Sequence, residues 1–174
     1  DILSFDPVAN KGDGGINDYL YEKGNQLTII AYAFQNLSND LKTGTDKTQD
    51  YFKAIAEELE KEYNESNIKV DIETEAFISK VLDNLISAKT LTISDEAKEN
   101  TLSAMYGFLP IIQVKAEDNI TTALIRFGLS TFQTDIKTIA NGTASAETIN
   151  NYNSNILNYI ANDQSIEIND ITPN

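Results

Sequence analysis

Apolar residues recur along most of the chain at the alternating three- and four-residue spacing of an amphipathic α-helix. The first stripe predicts a long helix that begins at Asn17 and ends at the turn formed by residues 43–45. Its members are Leu20, Gly24, Leu27, Ala31, Phe34, Ser38 and Leu41. Gly24 weakens this helix by roughly 1 kcal/mol relative to alanine, unless it allows another helix to come close.

Two more helices are predicted in the first half of the chain. The second has an apolar face formed by Phe52, Ile55, Ala56, Leu59 and Tyr63. Its opposite face, which we interpret as solvated, carries Glu57, Glu58, Glu60 and Glu62. The third helix is predicted over residues 71–89, and its inward positions are Ile72, Ala76, Phe77, Val81, Leu82, Leu85 and Ile86.

Local start and stop signals define the remaining helices. Ser94, followed by two acidic residues, is a strong helix start, and Pro110 should stop or kink the helix that follows. A fifth helix is predicted over residues 117–140, with an apolar set of Ile120, Leu124, Phe127, Phe132, Ile136 and Ile139. Ser145 caps a sixth, whose apolar side is Ile149, Tyr152, Ile156, Tyr159 and Ile160.

Five or six amphipathic helices with short connections and almost no strand signal predict an all-α fold, a helical bundle. The bundle domain is expected over residues 17–163. Residues 1–16 are rich in glycine and hold no helical period, so we expect an irregular N-terminal segment. Residues 164–174 are expected to form an extended linker, tail or edge strand.

The composition removes several kinds of chemistry from this chain. Its 174 residues include no cysteine, no histidine and no tryptophan. The chain therefore supplies no thiol nucleophile, disulfide, thiolate zinc site, imidazole base or histidine-ligated metal. On this basis we expect a protein that is not an enzyme and needs no cofactor, with calcium as the one ion to consider.

The charge balance narrows the choice of partners. Twenty-seven acidic residues against thirteen basic ones give a formal net charge of −14. Such a surface repels phosphate backbones and anionic membrane surfaces, so we expect no nucleic-acid binding. No apolar run approaches the roughly 20 residues needed to span a bilayer, so we expect no membrane insertion. Cations and basic proteins are its electrostatic complements, although acidity also serves solubility alone.

The glycine-rich segment at residues 11–18 has oxygen ligands that suit calcium, namely Asp13, Asn17 and Asp18. An EF-hand requires glycine at the sixth position of its loop. With Glu22 as the twelfth ligand, that position is Ile16, so the EF-hand pattern fails. A loop that leads into a helix explains the same residues without any metal.

A ligand pocket and a contact surface are the other candidate sites. Arg126 is the only arginine, and it could grip an anionic group beside an apolar pocket formed by Phe108, Phe127 and Phe132. The structural alternative pairs Arg126 with an acid of a neighbouring helix. Tyr21 and Tyr51 fall outside the apolar stripes and suggest a contact surface.

Two short segments near the N-terminus are distinctive: residues 3–10 (LSFDPVAN), with the Asp6–Pro7 turn, and residues 21–27 (YEKGNQL). They resemble stretches of the helical modules in very large secreted bacterial surface proteins of the adhesin type. The resemblance covers about the first 45 residues and carries no catalytic residue. It implies an extracellular, surface-exposed module in a multidomain protein.

These observations lead to one function and two alternatives. The leading hypothesis is a non-enzymatic extracellular bacterial module that acts in protein contact or adhesion, or as a spacer, with other domains or subunits of a surface assembly as its partners. The second is a small-ligand-binding helical domain. The third, a carboxylate-dependent hydrolase, requires two acids held in a cleft, and no local pattern selects such a pair.

Overall fold

A computed structural model describes residues 16–42, 47–67, 70–112 and 118–163. Within these ranges the chain forms eight α-helices and no strand. They are α1 (Ile16–Lys42), α2 (Thr48–Ser66), α3 (Glu75–Lys89), α4 (Asp95–Phe108), α5 (Asp118–Leu129), α6 (Thr131–Ala140), α7 (Ala146–Ser154) and α8 (Ile156–Asn162). A short 3-10 helix, Leu109–Ile111, follows α4 and contains Pro110. The predicted all-α bundle is therefore confirmed.

Two predicted helices are each divided in two. The predicted helix over residues 117–140 breaks at Ser130, where φ is −126° and ψ is −89°, and so becomes α5 and α6. The helix predicted after Ser145 breaks at Asn155 and becomes α7 and α8. The predicted irregular N-terminal segment, apart from Ile16 at the start of α1, and the predicted C-terminal tail lie outside the described residues.

Side-chain caps place several helix starts. The Ser94 hydroxyl accepts a hydrogen bond from the backbone N–H of Ala97, and the Ser145 hydroxyl accepts one from Thr148. Both starts were predicted from the sequence, and a cap of this type stabilises a helix by about 1 kcal/mol. Helix α3 begins later than predicted, at Glu75, because Thr74 is its cap.

Helix α1, with 27 residues, is the central element of the bundle. It packs against α2, α3, α5 and α6, while α4 packs against α3, α6 and α7. The buried core extends from Ile29 in α1 to Ile160 in α8. Among the described residues, no helix combines the length and apolarity needed to cross a membrane.

A buried glutamine joins three helices inside this core. The side-chain amide nitrogen of Gln133 in α6 donates to the carbonyl oxygens of Gly128, at 2.8 Å, and Ile29, at 3.2 Å. Its side-chain oxygen accepts from Asn36 Nδ2 at 3.0 Å. Both donors and the acceptor of the amide are therefore used, so its burial leaves no unsatisfied group and fixes α6 against α1 and α5.

Candidate functional site

Helix α2 is rotated relative to the sequence prediction. Its inward positions are Tyr51, Ile55 and Glu58, which are 2%, 1% and 4% exposed. Of the five residues predicted to be inward, Phe52, Ala56 and Tyr63 are exposed, whereas Ile55 is buried as predicted. The prediction was therefore wrong for these three, for Glu58 as a solvated acid and for Tyr51 as a contact residue.

Polar partners on the neighbouring helices explain this rotation. The Glu58 carboxylate accepts a hydrogen bond from Asn84 of α3, and Glu62 forms an ion pair with Lys80, which is also in α3. At the start of α2 the Thr48 hydroxyl donates to Gln35 of α1. These positions lie on one face of α2, and the bonds hold that face against α1 and α3.

The rotation leaves an apolar stripe on the outside of α2. We call it the α2 stripe; it consists of Phe52, Ala56, Leu59 and Tyr63. At about 100° per residue these positions fall within an arc of about 60°. Phe52 is 38% exposed and Tyr63 is 54% exposed, while Leu59 is partly buried. Their spacing of four, three and four residues is that of a helix that packs against another helix.

The opposite side of α2 faces a cleft. This α2–α3 cleft has a volume of about 310 Å³. Its lining includes Asp50, Tyr51, Ala54, Glu57, Glu58, Lys61, Asn84, Leu85, Ala88 and Lys89. Polar and charged groups therefore share the cleft with the apolar surface of two alanines and a leucine.

Glu58 is the buried acid of the α2–α3 cleft. Its Oε2 atom accepts a hydrogen bond from Asn84 Nδ2 at 2.7 Å. Its Oε1 atom is buried and accepts no hydrogen bond in the described part of the chain. Lys61 Nζ lies 3.7 Å from Oε1, which is an ion-pair distance beyond hydrogen-bond range. Lys89 Nζ lies 5.5 Å from the centre of the Tyr51 ring.

A second polar cluster joins α6, α7 and α8. The hydroxyl groups of Tyr152 and Tyr159 both donate to Asp135 Oδ2, each at 2.9 Å. Burial raises the pKa of the Asp135 carboxyl above its usual value, even though the two hydrogen bonds act to lower it. Burial, together with the nearby Asp135 charge, raises the pKa of both tyrosines. The phenols therefore stay protonated and serve as donors that connect helices.

The structure brings together only part of the predicted ligand pocket. The rings of Phe108, Phe127 and Phe132 are fully buried, and Phe108 lies 5.2 Å from Phe127 and 4.7 Å from Phe132 between ring centres. These rings fill the space between their helices. Arg126 is exposed on α5, apart from them. Ligand binding by these four residues stays a prediction.

The predicted calcium ligands fall only partly within the described residues. Asn17 and Asp18 lie in the first turn of α1, while Asp13 lies outside the described ranges. Among the residues that the structure describes, no group of three or more histidine, cysteine, aspartate or glutamate side chains is arranged to hold a metal ion. Calcium binding by Asp13, Asn17 and Asp18 stays a prediction.

Comparison with known proteins gives no match: no family model, no curated protein and no solved structure is similar to this sequence.

Proposed function

We propose that this chain is a non-enzymatic helical module that acts by protein contact within a larger extracellular surface protein or assembly. The observation that carries the proposal is the α2 stripe, where Phe52 and Tyr63 face solvent although their spacing is that of a buried face. Exposed apolar residues grouped on one helix are typical of interaction sites, and aromatic residues are enriched in them.

The partner that fits this surface is a basic amphipathic helix. Helix α2 carries six acidic residues and two lysines, and the whole chain has a net charge of −14. A helix with apolar residues at the same spacing would pack along the α2 stripe, and lysines or arginines on its flanks would face the acids. A second copy of this chain is disfavoured as the occupant because two such acidic surfaces repel each other.

The extracellular, non-enzymatic part of the proposal rests on the sequence. The resemblance of residues 3–10 and 21–27 to secreted surface proteins supports the location. The composition, which lacks cysteine and histidine, supports a role in contact over one in catalysis. The negative charge supports partners other than nucleic acid.

A peptide titration tests the contact surface. The probe is an amphipathic peptide of about three heptads, with leucine at its apolar positions and lysine elsewhere. We expect it to bind the intact chain, with amide chemical-shift changes concentrated on α2. The double variant Phe52→Ser, Tyr63→Ser should weaken binding by at least about tenfold, since it removes two central aromatic contacts.

Matched controls separate this contact from general attraction between opposite charges. Tyr106→Ser removes an aromatic residue that is similarly exposed on α4, and it should leave the affinity unchanged. A peptide with glutamate in place of lysine should bind at least about tenfold more weakly. If the double variant bound the peptide as tightly as the wild type does, the proposal would be refuted. A dimer of the chain formed through the α2 stripe, seen by sedimentation, would overturn the choice of a basic partner.

A further inference from the structure

The α2–α3 cleft contains a carboxylate oxygen whose burial is only partly compensated. Glu58 is 4% exposed, and Asn84 satisfies just one of its two oxygens. The other, Oε1, accepts no hydrogen bond among the described residues; Lys61 Nζ lies 3.7 Å from it, and Lys80 also interacts with the Glu58 charge. A buried charged oxygen without a hydrogen bond is costly, so a ligand that donates to Oε1 gains more than it would at an exposed acid.

Part of the remaining lining of the cleft suits a short hydrocarbon chain. Ala54, Leu85 and Ala88 present apolar surface, and the ring of Tyr51 contributes another wall. A volume of about 310 Å³ corresponds to roughly ten water molecules, at about 30 Å³ each, which is room for a small organic group. The cleft therefore combines one buried anion with a patch of apolar surface, and charged residues such as Glu57 and Lys89 line the rest.

We infer that the α2–α3 cleft binds a short alkylammonium group. The ammonium head donates a hydrogen bond to Glu58 Oε1, and the hydrocarbon stem lies along Ala54, Leu85 and Ala88. A free amine and the lysine side chain of a partner protein share this chemistry. The site lies on the side of α2 opposite the α2 stripe, so it is independent of the contact surface proposed above.

An organic cation fits better than a metal ion. Calcium and magnesium require several oxygen ligands, whereas the described residues contain no group of three or more acidic side chains arranged around one point. An ammonium group needs only a few acceptors, and Glu58 Oε1 is one that is already in place.

Lys61 competes with the ligand for the same carboxylate. Its side chain is 58% exposed, so it turns into solvent at little cost when another ammonium takes its place. Removing the charge of Lys61 should therefore strengthen binding, whereas removing the charge of Glu58 should weaken it. A purely structural ion pair between the two residues does not predict these opposite effects on a ligand.

The test is a titration of the intact chain with butylammonium chloride at neutral pH, followed by amide chemical shifts. We expect shifts at the Asn84 side-chain amide and at cleft-lining backbone amides, with butanol at the same concentration producing none. Glu58→Gln should lower the affinity at least about tenfold, and Lys61→Gln should raise it about threefold. Glu60→Gln removes the same charge outside the cleft and should leave the affinity within about twofold of the wild type.

Two additions keep the test decisive. Ala88→Leu adds bulk to the cleft lining while Glu58 is left unsubstituted, and it should abolish binding, so the inference is testable even if Glu58→Gln fails to fold. N-acetyl-lysine methylamide distinguishes the sources: equal binding supports a partner's lysine side chain, and weaker binding supports a free amine. Shifts that are equal for butanol and butylammonium, or affinities unchanged in both Glu58→Gln and Ala88→Leu, would overturn the inference.

Discussion

Gly128 lies where the core has no room for a further side-chain atom. A Cβ atom at this position would lie 2.5 Å from Ile29 Cδ1 and 3.0 Å from Phe108 Cε1. An alanine at this position would therefore force the buried side chain of Ile29 or Phe108 to shift. Gly24, in the middle of α1, has no atom within 4 Å of its added Cβ, so it gives α1 no close approach to another helix.

The two glycines should respond to alanine in opposite directions. Gly128→Ala should lower the free energy of unfolding by about 1–3 kcal/mol, because the new methyl group overpacks the core. Gly24→Ala should raise it by about 0.5–1 kcal/mol, because alanine favours a helix and meets no obstacle here. Urea denaturation of both variants measures the difference. Equal stability of the Gly128→Ala variant and the wild type would mean that Ile29 moves aside freely.

At the scale of elements, the short helix α8 is held by the cluster of Asp135, Tyr152 and Tyr159. Helix α8 has seven residues, which is too short for a helix to persist alone in water. The Tyr159 hydroxyl bonds it to Asp135 of α6, and the buried Ile160 adds an apolar contact. A hydrogen bond from Thr131 to Asp163 joins the start of α6 to the end of α8.

The tyrosines of this cluster should make stability fall at alkaline pH. Their pKa values are raised by folding, so above about pH 10 the unfolded chain loses phenol protons that the folded chain retains. The contribution of these two tyrosines to the free energy of unfolding is fully present below pH 10 and decreases as the pH rises further. Tyr152→Phe should remove part of that decrease, and should cost about 1.5–3 kcal/mol at neutral pH through the lost hydrogen bond to a charged group.

Urea unfolding at pH 7, 9 and about 10.5 measures this effect, with Tyr106→Phe, at an exposed tyrosine, as the control. The control should follow the wild type at every pH. An alkaline decrease in stability that is the same in Tyr152→Phe and in the wild type would contradict the role of the cluster.

Local signals allowed part of this architecture to be predicted. The caps at Ser94 and Ser145 act within one turn, so the sequence specifies them without knowledge of the fold. The break at Ser130 also left a trace, because the spacing from Phe127 to Phe132 is five residues and departs from the helical period. The break at Asn155 left none, because the apolar spacing continues through it.

The orientation of α2 needed information from beyond the helix. Tyr51, Ile55, Glu58 and Glu62 form one stripe, and Phe52, Ala56, Leu59 and Tyr63 form a more apolar one. Hydrophobicity favours the second, whereas the partners Asn84 and Lys80 on α3 select the first. The α2–α3 cleft was invisible to sequence reasoning for the same reason, because Glu58 and Asn84 meet only after two helices pack.

At the scale of the whole molecule, the acidic excess opposes a compact state. Lysines form ion pairs with acids at several points, including Lys23 with Glu22 and Glu73 and Lys80 with Glu62. Thirteen basic residues nevertheless leave the twenty-seven acids in large excess, and the unbalanced charges repel one another across the surface.

Salt should therefore stabilise this protein. Raising sodium chloride from about 10 to 150 mM should increase Tm by a few degrees, because screening weakens the net repulsion more than it weakens the ion pairs. Calcium and magnesium at matched ionic strength should give equal shifts in calorimetric scans. A shift specific to calcium and reversed by a chelator would instead show that calcium binds, as predicted for Asp13, Asn17 and Asp18.

The contacts of Gln133 constrain the order in which the chain acquires its structure. Its bonds to Ile29 and Asn36 span 104 and 97 residues. Closing loops of this length costs conformational entropy, and contacts between residues so far apart in the sequence slow folding. Because α1 precedes α5 and α6 in the sequence, it also leaves the ribosome before these two helices do. Until α5 and α6 are synthesised, α1 lacks two of the helices that pack against it.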